Sequence, residues 1–154
     1  MPTPQEILIV ASTVANQTPG FWIPNLRVTQ PYLTALKESL KAQWPNMFTS
    51  EQPFDDDMTR CAFDFYCQDQ NMAIEIALSS DGSNTEYFKD IWKAILARRA
   101  GSLAHVDQLL IIGKHRNGHP GFVHRHQEPF PNAILDYAQN NLGLTIHLME
   151  IQQQ

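Results

Sequence analysis

Asp64 and Glu75 are the two side chains whose type and spacing point most directly to chemistry. They lie in RCAFDFYCQDQNMAIEIALS, residues 60–79, where two apolar alternations flank a polar break. Cys61, Phe63, Phe65 and Cys67 alternate before the break, and Met72, Ile74, Ile76 and Leu78 after it. Strict alternation marks strands. Folding at Gln68-Asp69-Gln70-Asn71 predicts a hairpin with Phe65 facing Ile74, Phe63 facing Ile76, Cys61 facing Leu78 and Cys67 facing Met72. A slip of one residue would turn one apolar set toward water. On the other face the same register pairs Ala62 with Ala77, Tyr66 with Ala73, and Asp64 with Glu75. Like charges directly opposite on a sheet repel; at about 5 Å and an effective dielectric near 20 the cost is about 3 kcal/mol. Either water bathes that face or a cation sits between the carboxylates. Paired carboxylates suit a hard cation such as Mg²⁺ or Mn²⁺, and Ala62, Ala73 and Ala77 would leave room beside it.

The elements that position this pair follow from the same kind of reading. Thr3-Pro4-Gln5-Glu6 is a capping box with Pro at the first helical position. Ile7, Val10, Ala11 and Val14 then recur at helical spacing, predicting a helix over about residues 4–16; a buried strand at Ile7–Val10 is the alternative. Thr18-Pro19-Gly20 ends that element. A second helix is predicted over about 30–43, with Leu33, Leu36 and Leu40 inward, and EQPFDDD at 51–57 reads as a polar loop. Ser83 and Glu86 form another capping box before a helix over 84–99, whose Phe88, Ile91, Trp92, Ile95 and Leu96 are spaced as a core face. Val106–Ile112 is nearly unbroken apolar sequence, the mark of a strand covered on both faces. Strand 71–79, helix 84–99 and strand 106–112 therefore read as a βαβ unit. Residues 114–131 form a polar loop, followed by a helix over 132–141 and a last strand over 144–151.

At 154 residues the chain reads as one domain, 1–154, with its core over about 30–151. Its longest apolar run at the start, Ile7–Ala11, is far too short to span a membrane. Met1-Pro2-Thr3-Pro4 carries no basic region before an apolar stretch, so a cytoplasmic protein is expected. Cys61 and Cys67 share a strand face and read as core thiols in a reducing compartment, their spacing fitting no zinc motif. The net charge of −5 is unevenly spread: residues 93–126 hold six Lys or Arg against the single acid Asp107, and five of the six histidines. This asymmetry suggests a surface for an anionic partner, DNA or RNA, contacted by Lys114, His115, Arg116 and Arg125. A merely solvated loop is the plainer reading. The same imidazoles invite a zinc hypothesis, but no acid or second close pair stands at a recognised spacing.

With these elements in order, the chain resembles the PD-(D/E)XK superfamily over about residues 30–113. That family places one acid on a hairpin strand and an acid-x-Lys triplet on the next. Asp64 matches the first acid and Glu75 the second, with ten residues between them. AIEIAL, NTEYFKDIWKAILA and VDQLLII are similar to the family's succeeding strand, helix and strand. The resemblance implies an α/β domain of the restriction-endonuclease-like fold, a mixed central sheet flanked by helices. It also implies a Mg²⁺- or Mn²⁺-dependent phosphodiesterase acting on DNA, with Asp64 and Glu75 as metal ligands. The triplet's lysine position, however, holds Ala77. Losing one electrostatic stabiliser of that kind costs on the order of 3 kcal/mol, about a hundredfold in rate. Lys89 or Lys93 on the next helix, four apart on one face, would replace it, as in some members of the superfamily. Glu38 offers a third acid, unless it is an ordinary exposed helix residue. The rival reading is a catalytically silent relative that binds nucleic acid, a protein partner or a second copy. Ala77 and the acidic net charge favour that rival; the acidic pair and the basic segment favour the enzyme.

Overall fold

The structure, a computed structural model, describes residues 1–53, 62–78, 84–100, 105–115, 123 and 129–154. Helix α1 spans Pro4–Gln17, and its capping box forms as the sequence implies. Glu6 N–H donates to Thr3 Oγ1 (3.2 Å) while Glu6 Oε2 accepts from Thr3 N–H (2.8 Å). The strand alternative at Ile7–Val10 is thereby excluded. Helix α2 (Thr29–Gln43) packs on α1 through Leu36, Leu40 and Tyr32, whose buried hydroxyl donates to Ala11 O at 3.0 Å.

Five strands follow among the described residues: β1 (Phe48–Pro53), β2 (Ala62–Cys67), β3 (Met72–Ala77), β4 (Gln108–Lys114) and β5 (Thr145–Ile151). Helix α3 (Asn84–Ala100) connects β3 to β4, and helix α4 (Pro129–Leu142) precedes β5. The sheet order is β1-β2-β3-β4-β5, antiparallel from β1 to β3 and parallel from β3 to β5. The expected α/β architecture, a mixed sheet flanked by helices, is present. One core lies between the sheet and α1 and α2, formed by Phe65, Cys67, Met72, Ile74, Leu110 and Ile112 from the strands. The other lies between the sheet and α3 and α4, and includes Phe63, Ala73, Leu109, Ile111, Ile91, Ala94 and Ala138. Leu109–Ile112 therefore feeds both faces in turn, as its unbroken apolar character implies.

Several boundaries differ from the sequence reading. Residues 51–53, expected in a loop, belong to β1, while 54–57 lie outside the described residues. FTSEQP lacks apolar alternation, and as an edge strand it tolerates Pro53, which has no N–H for a ladder. Strand β4 runs two residues later than 106–112, so Lys114 is its last residue rather than the start of a loop. Helix α4 begins at Pro129, inside the expected loop; prolines in a first turn lose no hydrogen bond.

The largest difference is the rotation of α3. Among its described side chains Asp90, Ile91, Ala94 and Ala97 are buried and Phe88 and Ile95 pack half-buried beside them, whereas Trp92 is 60% exposed and Leu96 42%. At 100° per residue, the fully buried residues are centred more than a third of a turn from the face that bulk alone predicts. Small side chains on α3 meet small ones on β3, Ala73 and Ala77, in the same core. The three alanines expected to leave room for a ligand thus divide, two of them lining the contact with α3.

Candidate active site

The turn between β2 and β3 is the expected polar break. Gln68–Gln70 form one turn of 3-10 helix, and Asn71 closes it in the left-handed region at φ 49°, which asparagine tolerates. Asn71 O also accepts from Asp107 N–H (2.9 Å), tying the turn to the entry of β4. From there the ladder runs as expected through Cys67↔Met72, Tyr66↔Ala73 and Phe65↔Ile74. It ends at that point. The next pairs, Asp64 with Glu75 and Phe63 with Ile76, do not form as ladder partners. Instead Asp64 Oδ2 accepts from Ile76 N–H at 2.8 Å, a side chain taking the place of a neighbouring strand's carbonyl. With the strands parted, Phe63 turns to the α3 core rather than joining Phe65. The hairpin register is correct near the turn and fails where the acids begin, because a carboxylate competes for the backbone donor.

Glu75, beside that junction, is only 5% exposed. Burial first, and then the charges of Asp90 and Asp64, push its carboxyl up to about 9 from an ordinary 4.5, against the opposing pull of Lys93. Lys93 reaches down from α3 to contact Glu75 Oε1. Its ammonium also donates to Ala62 O (3.0 Å), lies 3.5 Å from Asp90 Oδ1, and sits 5.7 Å from the centroid of the Phe63 ring. Burial would lower the Lys93 ammonium, but Glu75, Asp90 and Asp64 together outweigh it and hold the group above its usual range. Glu75 and Asp90 therefore hold one ammonium between them in a largely dry site, with the charge of Asp64 felt nearby.

Of the two lysines proposed from sequence, Lys93 is the one that meets the acids; Lys89 is exposed on the outer side of α3. Glu38 is exposed on α2, across the sheet from Lys93, and contributes nothing to this cluster. Asp90, which the spacing of the acids on the hairpin does not point to, joins the cluster from α3. Its signal was present: an acid three residues before a lysine shares that lysine's side of a helix.

The proposed nucleic-acid contacts fare differently. Lys114 is buried, donating to Phe21 O, with its ammonium 4.3 Å from the Phe21 ring centroid and 5.3 Å from that of Trp22. It is a core residue and cannot meet a phosphate in this position, because it ends a strand rather than starting a loop. His115 is half-buried, its Nδ1 3.5 Å from Glu150 Oε1 and its N–H bound to Ile151 O. Arg116, Arg125 and the histidines 119, 124 and 126 lie outside the described residues. Among the described residues, no three His, Cys, Asp or Glu side chains form a group that could hold a metal ion, and no helix is long and apolar enough to cross a membrane.

No protein-family model, curated protein or solved structure matches this chain.

Proposed function

We propose that the chain is a Mg²⁺-dependent phosphodiesterase acting on DNA, built on a restriction-endonuclease-like fold. In this reading Asp64 and Glu75 are the metal's protein ligands and Lys93 is the electrostatic stabiliser. One observation carries it: a lysine ammonium meets Glu75 from α3, while the position two residues after Glu75 holds Ala77. The role left vacant on the strand is filled from the helix.

Asp64 and Glu75 would hold a magnesium ion in this reading. Mg²⁺ commonly takes one or two carboxylates from a protein and completes its shell with water and substrate phosphate. Burial first, and then the charges of Asp90 and Asp64, push Glu75 up to about 9, and a divalent cation beside these acids would offset the negative part of that push. When bound, the metal supplies positive charge to the phosphate oxygens and makes water a better nucleophile near neutral pH. The chain's own groups do the rest. Lys93 keeps its proton and offers N–H bonds toward charge developing on the phosphate. Asp90 holds Lys93 from the preceding turn. Asp64 anchors β3 through Ile76 N–H, fixing the backbone next to Glu75.

A second reading, the catalytically silent module binding nucleic acid or a protein partner, draws on the same geometry. Glu75 Oε1 is already met by Lys93, and Asp64 Oδ2 by a backbone donor. Cleavage separates the two. With Mg²⁺ or Mn²⁺ the purified protein is expected to cut DNA, and Lys93→Met to reduce the rate by about a hundredfold or more, the usual loss for one such stabiliser. Wild-type protein that cuts neither DNA nor RNA with either metal would leave the silent module.

A further inference from the structure

The outer face of α3 carries an exposed stripe of unusual chemistry. Lys89, Trp92, Leu96 and Arg99 are all exposed, Trp92 by 60% and Leu96 by 42%. At 100° per residue these four fall within an arc of about 80°, opposite the buried face of Asp90, Ile91, Ala94 and Ala97. Lys93 projects about 40° from Lys89, so it stands at the border between this stripe and the acids it contacts. The order along the helix is cation, aromatic, aliphatic, cation.

We propose that this stripe is a stacking platform for single-stranded nucleic acid, presented beside the Lys93–Glu75 pair. The proposal deepens the phosphodiesterase reading and rests on it for the meaning of that placement. Three observations favour a polyanion with accessible bases over a protein surface. Both charges on the stripe are positive, although the whole chain is acidic at −5. Lys89 and Arg99 are separated by about 15 Å along the axis, a span of a few phosphates at roughly 3.4 Å per nucleotide. Between them lie a flat aromatic face and an aliphatic one, which grip an unpaired base by stacking and gain little from a duplex, whose bases present only their edges. Trp22 and Trp44 are engaged with Phe21 and Phe48, leaving Trp92 as the exposed indole of the chain's three.

The test uses the full chain in EDTA, so that binding is read without cleavage. A fluorescein-labelled oligothymidylate of about 20 nucleotides and a duplex of the same length serve as probes, spanning more than the site size of a typical single-strand groove. Tight binding of the single strand with quenching of tryptophan emission is expected. Trp92→Ala should weaken it about tenfold or more, and Trp92→Phe should restore most of the loss, whereas duplex binding should change little. The double variant Lys89→Gln/Arg99→Gln should flatten the salt dependence of log K by about 1.4, for two phosphate contacts at roughly 0.7 each. Because Trp92 is exposed, unchanged melting curves are expected to accompany these losses. Absence of oligonucleotide binding in the wild type, or an affinity indifferent to Trp92→Ala, overturns the proposal. So does a self-associated form that Trp92→Ala dissolves in sedimentation without altering oligonucleotide affinity, which makes the stripe a protein interface. Trp92-dependent binding by a protein that cleaves nothing removes the phosphodiesterase reading and leaves the platform. Cleavage by a protein whose single-strand affinity is indifferent to Trp92→Ala does the reverse.

Discussion

Replacing Glu75 by Gln should make the protein more stable at neutral pH, although it removes one partner of a buried ion pair. The carboxyl is held up to about 9 in the folded chain, against 4.5 as its ordinary value. At pH 7 the folded state therefore keeps a proton that the unfolded chain gives up. The stability tied to this group is fully present below about pH 4.5 and drains away as pH rises toward 9, at about 1.4 kcal/mol per unit. By pH 7 the loss is on the order of 3 kcal/mol, and glutamine, which cannot ionise in either state, does not incur it. The opposing term is the ion pair itself. Removing one member of a buried pair costs about 3–5 kcal/mol where the other is left alone. Lys93 is not left alone: Asp90 Oδ1 stays 3.5 Å away, Ala62 O still accepts from it, and the amide oxygen of glutamine can replace the carboxylate oxygen. The raised Lys93 ammonium contributes stability that is present at and below its usual range near 10.5 and lost only above it, outside this window. The proton at Glu75 decides the sign.

Urea denaturation and thermal melting at pH 5, 7 and 9 measure the difference. For a chain of this size about 2–4 °C accompanies each kcal/mol, so Glu75→Gln should melt roughly 6–12 °C higher at pH 7. The gap should close near pH 4.5 and widen toward pH 9, where the wild type is weakest. A wild type with flat stability across this range, together with a variant destabilised by about 3–5 kcal/mol at pH 7, would refute the reasoning: Glu75 would then be an ionised partner stabilised by Lys93.

Asp64→Asn retains an amide oxygen to accept from Ile76 N–H, so stability should stay within about 1 kcal/mol, while the rise in melting temperature on adding Mg²⁺ should vanish. An unchanged metal response in that variant places any ion elsewhere. Lys114→Met should leave both DNA affinity and its salt dependence at wild-type values, because the ammonium is turned toward Phe21 O and the Phe21 and Trp22 rings. A salt slope reduced by about 0.9 would instead put Lys114 on a phosphate.

Most of the framework was legible in the sequence because it rests on local signals. The Thr3–Glu6 capping box, the leucines of α2, the polar break at 68–71 and the double-faced β4 each depend on periodicity or turn chemistry within a few residues. Edge strand β1 carries no such signal, since its pairing with β2 is long-range and its side chains do not alternate. At the site, Asp64, Glu75 and Lys93 could be named, but their arrangement could not. Alternation alone implies that Asp64 stands above a continuous ladder, whereas its carboxylate closes the ladder by taking Ile76 N–H. Lys114 departs from expectation for a related reason: charge is a surface signal only until a strand runs on two positions and carries the residue into the core.

The rotation of α3 is the point at which packing and chemistry compete. Counting apolar bulk puts Phe88, Ile91, Trp92, Ile95 and Leu96 inward and would leave Asp90 on the opposite, solvent side of the helix. Ile91 is buried and Phe88 and Ile95 pack half-buried on the same core, as that count implies, but Asp90, Ala94 and Ala97 are buried as well, and Trp92 and Leu96 are left exposed. Exposing those two side chains forgoes roughly 2 kcal/mol each of burial, a cost that hydrophobic packing alone gives no reason to accept. The small residues let α3 lie against Ala73 and Ala77, and this approach puts the Lys93 ammonium within reach of Glu75 and Ala62 O. A single rotation thus explains both the buried charge cluster and the exposed aromatic stripe. A helix placed for its core alone would show neither.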